Sequence, residues 1–433
     1  MKDAYGLTVT TGSPDALAAI DHFADEIMTF GLNAGAILDR LDADPACVIA
    51  HAHAAALLMF LYTGDAAAQA RPHLDRVRPH LGGASEREQI YFRAIDDWTA
   101  GDLDRAVDGH RRIARDWPRD LVSARVGQVH CINLGDNEGI LAFGEAATRA
   151  RPDDPDALAM AAFGLEQCHR LAEAERVGRR ATELRRTTAW AHHAVAHVME
   201  TQGRLAEGRA WMEGLADTWE GCNSFMYTHN WWHAALFRLD QDDIAGALDI
   251  FDRHLWTRMR TYCQDQVNAI ALLVRLELRG AEVGGRWRDV AAYLGGRARE
   301  NVLAFLDLHY LYALARAGDD KAADELVDAI AARAARAKPF ERSTWAEVAL
   351  PLARAMVAHA RGRWTESTDR FAPALAQLQL IGGSHAQRDL WHQLHLDALI
   401  RAGRRGDARA ILEQRRQARP DVPWTHRQLA ALT

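Results

Sequence analysis

The chain carries little excess of charge. Its 52 basic residues nearly balance 59 acidic ones, giving −7 with histidine neutral. Proteins that grip nucleic acid or an anionic membrane usually present a basic face, so neither is expected as a partner. Cysteine is scarce: Cys47, Cys131, Cys168, Cys222 and Cys263 are odd in number and never form a C-x-x-C pair. That excludes a disulfide framework and a thiolate zinc site and fits a reducing cytoplasm. Long apolar runs are missing too. The most apolar stretch, Ala54 to Tyr62, has nine residues, against the roughly 20 needed to span a bilayer. Met1 to Ser13 lacks the apolar core of a secretory signal. A soluble cytoplasmic protein is expected.

Proline is sparse, at 12 residues, and runs of β-branched residues are nearly absent. Alanine, leucine, arginine and glutamate fill long periodic stretches instead, which predicts an all-α chain. A length of 433 residues would suggest two to four domains at roughly 100–200 residues each. A repeat array escapes that count, because it grows by stacking.

Repeats are visible. Turn signals introduce similar helices at Gly101-Asp102-Leu103, Gly135-Asp136-Asn137, Gly203-Arg204-Leu205, Gly318-Asp319 and Gly406-Asp407. The early ones are spaced by 34 residues (101 to 135, and 169 to 203), then by 40 (203 to 243). A period near 34 with a small residue early in the second helix is the tetratricopeptide (TPR) rhythm. The expected architecture is one right-handed TPR-like α-solenoid over 1–433, curled around a central pocket. Residues 14–80 form its N-terminal helical cap, 85–280 its TPR-like repeats and 281–433 its irregular C-terminal repeats.

Histidine and tryptophan are generous, at 20 and 13. On one predicted first helix, Trp190, His193, His197 and Glu200 fall on one stripe, spaced 3, 4 and 3. The next first helix offers Tyr227, His229, Asn230 and His233, flanked by Trp231 and Trp232. Successive first helices lie side by side, so the two stripes should be neighbours on the concave face. Three readings follow. Two H-x-x-x-H pairs have the spacing of transition-metal ligands. Crowded imidazoles also suit a pocket for a small polar ligand, since they cannot all be charged and one stays neutral as a base. Last, the same residues can simply fill helix–helix contacts. The second reading is preferred, with no cofactor required.

Other candidates are weaker. Asp252/His254 and Asp307/His309 are two apart, so their side chains face different sides of a helix. Asp265 sits at a helix start, where the helix dipole favours an acid. Gly382-Gly383-Ser384-His385-Ala386-Gln387-Arg388-Asp389 opens a helix; Ser384 is an expected N-cap, and Arg388 a carboxylate or phosphate clamp if it faces the groove. No G-x-S-x-G, P-loop, G-x-G-x-x-G or H-E-x-x-H occurs.

Four segments are specific: Ala189-Trp190-x2-His193-x-Val195-Ala196-His197-x2-Glu200, His229-Asn230-x-Trp232-His233, Gly285-Arg286-Trp287-x-Asp289-Val290, and Gly382-Gly383-Ser384-x-Ala386-Gln387-Arg388-Asp389. In this order they resemble the tetratricopeptide repeat protein 38 family over residues 20–425. The resemblance implies a divergent TPR-like solenoid and names no substrate. Around 128–133, where that family repeats His or Tyr, this chain has Gln128 and His130, and no role is carried over.

The functional expectation is a pocket for a small polar organic molecule, an enzyme of hydrolytic or elimination type in its stronger form. His193, His197, His229 and His233 would do acid–base work, with Glu200 and Asp265 orienting them. Trp190, Asn230, Trp232, Asp307, His309, Gln387 and Arg388 would bind the ligand, Arg388 holding an anionic group. The alternative is a non-enzymatic TPR adaptor that takes a protein or peptide on its concave face.

Overall fold

The structure is a computed structural model that describes residues 1–432. Among these, helices account for all regular structure apart from one isolated bridge between Lys2 and Thr8. The N-terminal half runs α1 (Pro14–Thr29), α2 (Val48–Met59), α3 (Ala66–Val77), α4 (Glu86–Thr99), α5 (Leu103–Asp116), α6 (Leu121–Leu134) and α7 (Asn137–Ala150). It continues through α8 (Pro155–Gln167), α9 (Leu171–Leu184) and α10 (Ala189–Gln202). Next come α11 (Leu205–Glu213), α12 (Ser224–Asp240), α13 (Ile244–Ile250), α14 (Cys263–Leu278), α15 (Arg286–Ala291) and α16 (Ala304–Ala317). Last are α17 (Asp320–Arg336), α18 (Leu350–Ala360), α19 (Trp364–Leu375), α20 (His385–Arg401), α21 (Arg405–Ala418) and α22 (Pro423–Ala431).

One backbone device organises these helices into TPR-like pairs. Each even-numbered helix from α2 to α20 is followed by a residue with positive φ: Tyr62, Gly101, Gly135, His169, Gly203, Asp242, Gly280, Gly318, Gly362 and Gly403. A left-handed residue ends the first helix by turning its last carbonyls toward N–H groups of the turn. In eight of the ten, all but those at Tyr62 and Gly280, the next residue is the N-cap of the second helix. Asp136, Asp243 and Asp319 each accept a hydrogen bond from the backbone N–H three residues on, at 2.8, 2.9 and 3.1 Å. The Gly-Asp signal in the sequence is therefore two helix signals in one dipeptide, a stop and a start.

Close approach between helices also has a sequence cause. A Cβ on Gly144 of α7 would lie 2.6 Å from the Cα of Ala161 on α8, and one on Gly164 of α8 would lie 2.5 Å from the Cα of Leu141 on α7. Only hydrogen fits at either position, so these two helices touch backbone to backbone.

The chain forms two compact units. Unit 1 comprises residues 1–132, 136–195 and 218–226; unit 2 comprises 133–135, 196–217 and 227–433. In unit 2 the last helices return to the first. Arg419 reaches Asp240 at 3.0 Å and Arg427 pairs with Asp242, while Arg275 on α14 donates to the Ala386 carbonyl on α20 at 2.7 Å. Among the described residues no helix is long and apolar enough to cross a membrane.

Candidate functional site

The site grows from α10 and α12 in unit 2. His197 and Glu200 are three apart on α10, and His229, Trp232 and His233 are three and four apart on α12, so each set shares one helix face. The His197 and His233 rings meet at 4.5 Å between centroids, and His229 and His233 at 5.0 Å, edge to face. All three histidines are buried. One ring nitrogen from each lies within 4.8 Å of the others. His193, four residues before His197 in the sequence, belongs to unit 1.

Neighbouring residues fix the protons on two of these rings. His233 Nδ1 lies 3.2 Å from Glu200 Oε2. His229 Nδ1 lies 2.9 Å from Asn268 Oδ1 on α14. A relay orients that amide: Thr228 donates to Asp265 at 3.1 Å, and Asn268 Nδ2 donates to Thr228 Oγ1 at 3.0 Å. A hydroxyl that gives its proton to a carboxylate must accept from the amide nitrogen, so the amide oxygen faces His229. With carboxylate and amide oxygens accepting at Nδ1, each imidazole carries its lone pair on Nε2. Asp265 therefore acts on His229 through Thr228 and Asn268, not directly, and it also accepts from the Met259 N–H at 3.1 Å.

Burial sets the charge states. It pushes His229 down to about 4, with the Asn268 bond opposing, and His233 well below the usual imidazole range. It pushes Glu200 up to about 7, offset by His197 and Arg419. Trp232 covers the group from one side: its ring stacks on His229 at 5.4 Å with planes 9° apart. The Arg275 guanidinium lies 5.2 Å from the same tryptophan ring. Arg275 is 2% exposed and, among the described residues, donates only to the Ala271 and Ala386 carbonyls, so none of their carboxylates neutralises it by direct contact.

The remaining expected residues scatter. Trp190 belongs to unit 1, stacked on His193 at 4.3 Å and packed against Phe30 and Phe163. Asn230 is fully buried on α12. Asp307 accepts from Asn301 at 2.8 Å, and His309 Nδ1 lies 2.7 Å from its own helix's Phe305 carbonyl. Gln387 closes a capping box: its Oε1 accepts from the Ser384 N–H at 2.9 Å while its own N–H donates to Ser384 Oγ at 3.3 Å. Arg388 bonds locally, to the Gly383 carbonyl and to His385 Nδ1. Its neighbour Asp389 pairs with Arg415 at 2.6 and 2.9 Å. The sequence reading missed Thr228, Asn268 and Arg275, whose partners lie 37 to 111 residues away and leave no local signal.

No family model matches the chain. Among solved structures, a human IFIT1 dimer with PPP-AAAA is similar at 13% identity, with 95% of this chain and 94% of that one covered and a TM-score of 0.43. A human IFIT1 dimer with m7Gppp-AAAA gives 12%, 95%, 94% and 0.45. The APC/C hetero-tetramer Cut9–Hcn1 gives 11%, 88%, 69% and 0.42. Two of these similar structures hold triphosphate and capped RNA fragments, and the exclusion of nucleic acid drawn from net charge is withdrawn. Net charge averages the whole surface, whereas recognition depends on the groups lining one site. The chain described here is an all-α protein of TPR-like helical pairs.

Proposed function

We propose that unit 2 is a ligand site built on a transition-metal centre, with His197, His229 and His233 as ligands. The observation that carries this reading is the fixing of Nδ1 on His229 and His233 by Asn268 and Glu200. Metal-binding histidines characteristically donate their other ring nitrogen to a carboxylate or carbonyl oxygen, which sets ring orientation and basicity. Burial supports the reading as well, because it keeps His229 and His233 neutral and only neutral imidazole ligates. Bonds of ~2.1 Å to a shared ion bring nitrogens to roughly 3.4 Å apart in tetrahedral geometry, a modest closure from 4.8 Å.

Three histidines leave a coordination position for a small polar organic ligand or water, and such a centre supplies a Lewis acid and an activated water. Hydrolysis is the reaction class that suits it, with Glu200 as proton acceptor. Arg275, buried without a contacting carboxylate, favours an anionic ligand. The motifs that resemble the tetratricopeptide repeat protein 38 family include all three ligands, and we infer membership from them. The cytoplasm, where thiols stay reduced, is the compartment we assign.

The test is elemental analysis of protein purified without metal-affinity resin, followed by chelation and thermal melts with zinc, cobalt or nickel chloride. About one ion per chain, or a saturable rise in melting temperature lost in His229→Ala and His233→Ala, is expected. Absence of both in the wild type overturns the reading.

A further inference from the structure

Unit 1 holds a buried guanidinium with no acceptor. Arg125, on α6, is 4% exposed, yet its Nε and Nη2 have no hydrogen-bond partner among the described residues. These two N–H groups form the side-on fork that pairs with a planar oxyanion through two parallel bonds. A third orphaned donor lies close by. The indole Nε1 of Trp190 is also buried without an acceptor, and the Arg125 Cζ is 5.3 Å from the Trp190 ring and 4.9 Å from that of Phe30.

Phe163, at 4.8 Å from Trp190, and Phe225, at 6.0 Å from Phe30, complete an aromatic surround. No nearby acid serves this cation by contact. Asp156 acts on Arg125 only through space, and its Oδ1 accepts from Arg185.

A buried charge without a partner is strongly destabilising, and so are buried N–H groups left unbonded. Three donors without an acceptor among the described residues, packed among aromatic rings, describe a receptor for an anion. The ligand must bring two features. Its charge is one, because Asp156 and Arg185 already balance each other and Arg125 alone remains. Its body is apolar or aromatic, because Phe30, Phe163, Phe225 and Trp190 surround the cation with ring faces.

We infer that unit 1 binds the carboxylate of a small aromatic or apolar acid, with Arg125 Nε and Nη2 clamping the carboxylate and Trp190 Nε1 donating a third bond. The inference stands whether or not the histidine centre of unit 2 holds metal.

The experiment is a series of thermal melts of the full chain at constant ionic strength, titrated with sodium benzoate, benzamide as its neutral isostere, and inorganic phosphate. Benzoate is expected to raise the wild-type melting temperature saturably, while benzamide and phosphate leave it unchanged. Arg125→Met keeps the stem and removes the charge; it should weaken benzoate binding at least ~10-fold, the loss of charge-assisted bonds. Without any additive it should melt no lower than the wild type, since it removes an uncompensated charge. Trp190→Phe deletes the indole N–H while keeping an aromatic wall and should weaken binding ~5-fold, one neutral hydrogen bond. The proposal is overturned if benzoate leaves the wild type unchanged, if Arg125→Met responds as the wild type does, or if phosphate stabilises as well as benzoate.

Discussion

His233 Nδ1 lies 3.2 Å from Glu200 Oε2, so a carboxylate three residues beyond one imidazole on α10 orients a second imidazole on α12. If the histidines hold metal, Glu200 tunes affinity without touching the ion. Glu200→Ala should weaken metal binding ~10–100-fold. Glu200→Gln, which keeps an oxygen acceptor, should fall between. Competition with a metallochromic chelator gives the order; equal affinities in all three proteins would remove the role.

Acid should unfold unit 1 readily. Burial pushes His130 down to about 3, and both its ring nitrogens are without a partner among the described residues, beside Trp98 and His110. The unfolded chain binds a proton there near pH 6.5 and the native state near 3, so the neutral ring favours the folded state only at high pH. Stability is full above pH 6.5 and falls as pH drops toward 3, by up to ~1.4 kcal/mol per unit for each such histidine. His53, pushed to about 3 by burial, adds the same sign. His130→Leu should flatten the slope between pH 6.5 and 4 in urea melts by about one group's share.

Asp307 predicts the opposite trend in unit 2. Burial raises it to about 7, with Asn301 opposing. Its protonated form is favoured in the native state, so this group's contribution is present at low pH and is lost as pH rises from about 4 to 7. Asp307→Asn should abolish that loss and melt higher than the wild type at pH 8. A wild-type-like pH profile in the variant would count against it.

The left-handed joints give a stability test. His169 has φ 57° where most other joints use glycine, and a side chain there costs roughly 1 kcal/mol. His169→Gly should therefore stabilise the protein by about 1 kcal/mol in urea melts. No gain would mean that the imidazole's contacts outweigh the backbone strain.

Glycines inside helices divide by their surroundings. Gly144→Ala forces a Cβ against the α8 backbone and should cost about 1–3 kcal/mol. Gly406→Ala meets nothing within 4 Å on α21 and should gain roughly 0.5–1 kcal/mol from helix propensity. Chemical denaturation of both variants separates packing from propensity.

Much of this was legible in the chain and part was not, for physical reasons. Gly101, Gly135 and Gly203 announce joints because glycine populates positive φ freely; Tyr62, His169 and Asp242 do the same work and carry no such mark. The spacing of His193, His197 and Glu200 places them on one stripe, because helical periodicity is local. What turns the stripes into a site is remote: Asn268 reaches His229 across 39 residues. The same periodicity puts Trp190 beside His193, on which it stacks, but its other neighbours, Phe30, Phe163 and Arg125, come from remote parts of unit 1. Helical phase assigns a residue to a stripe, but the neighbouring helices decide what that stripe meets.

The joints leave length variation one place to go. Links from a second helix to the next first helix span four residues at 117–120, 151–154 and 185–188, but lengthen to 251–262 and 337–349 later in the chain. Most hairpins reverse the backbone within two or three residues, 60–65 and 279–285 being longer, so added residues accumulate mainly where one pair hands over to the next. Foreign loops spliced into 292–303 or 337–349 should leave folding intact, whereas the same loops at 135–136 or 318–319 would separate a helix stop from the start that follows it.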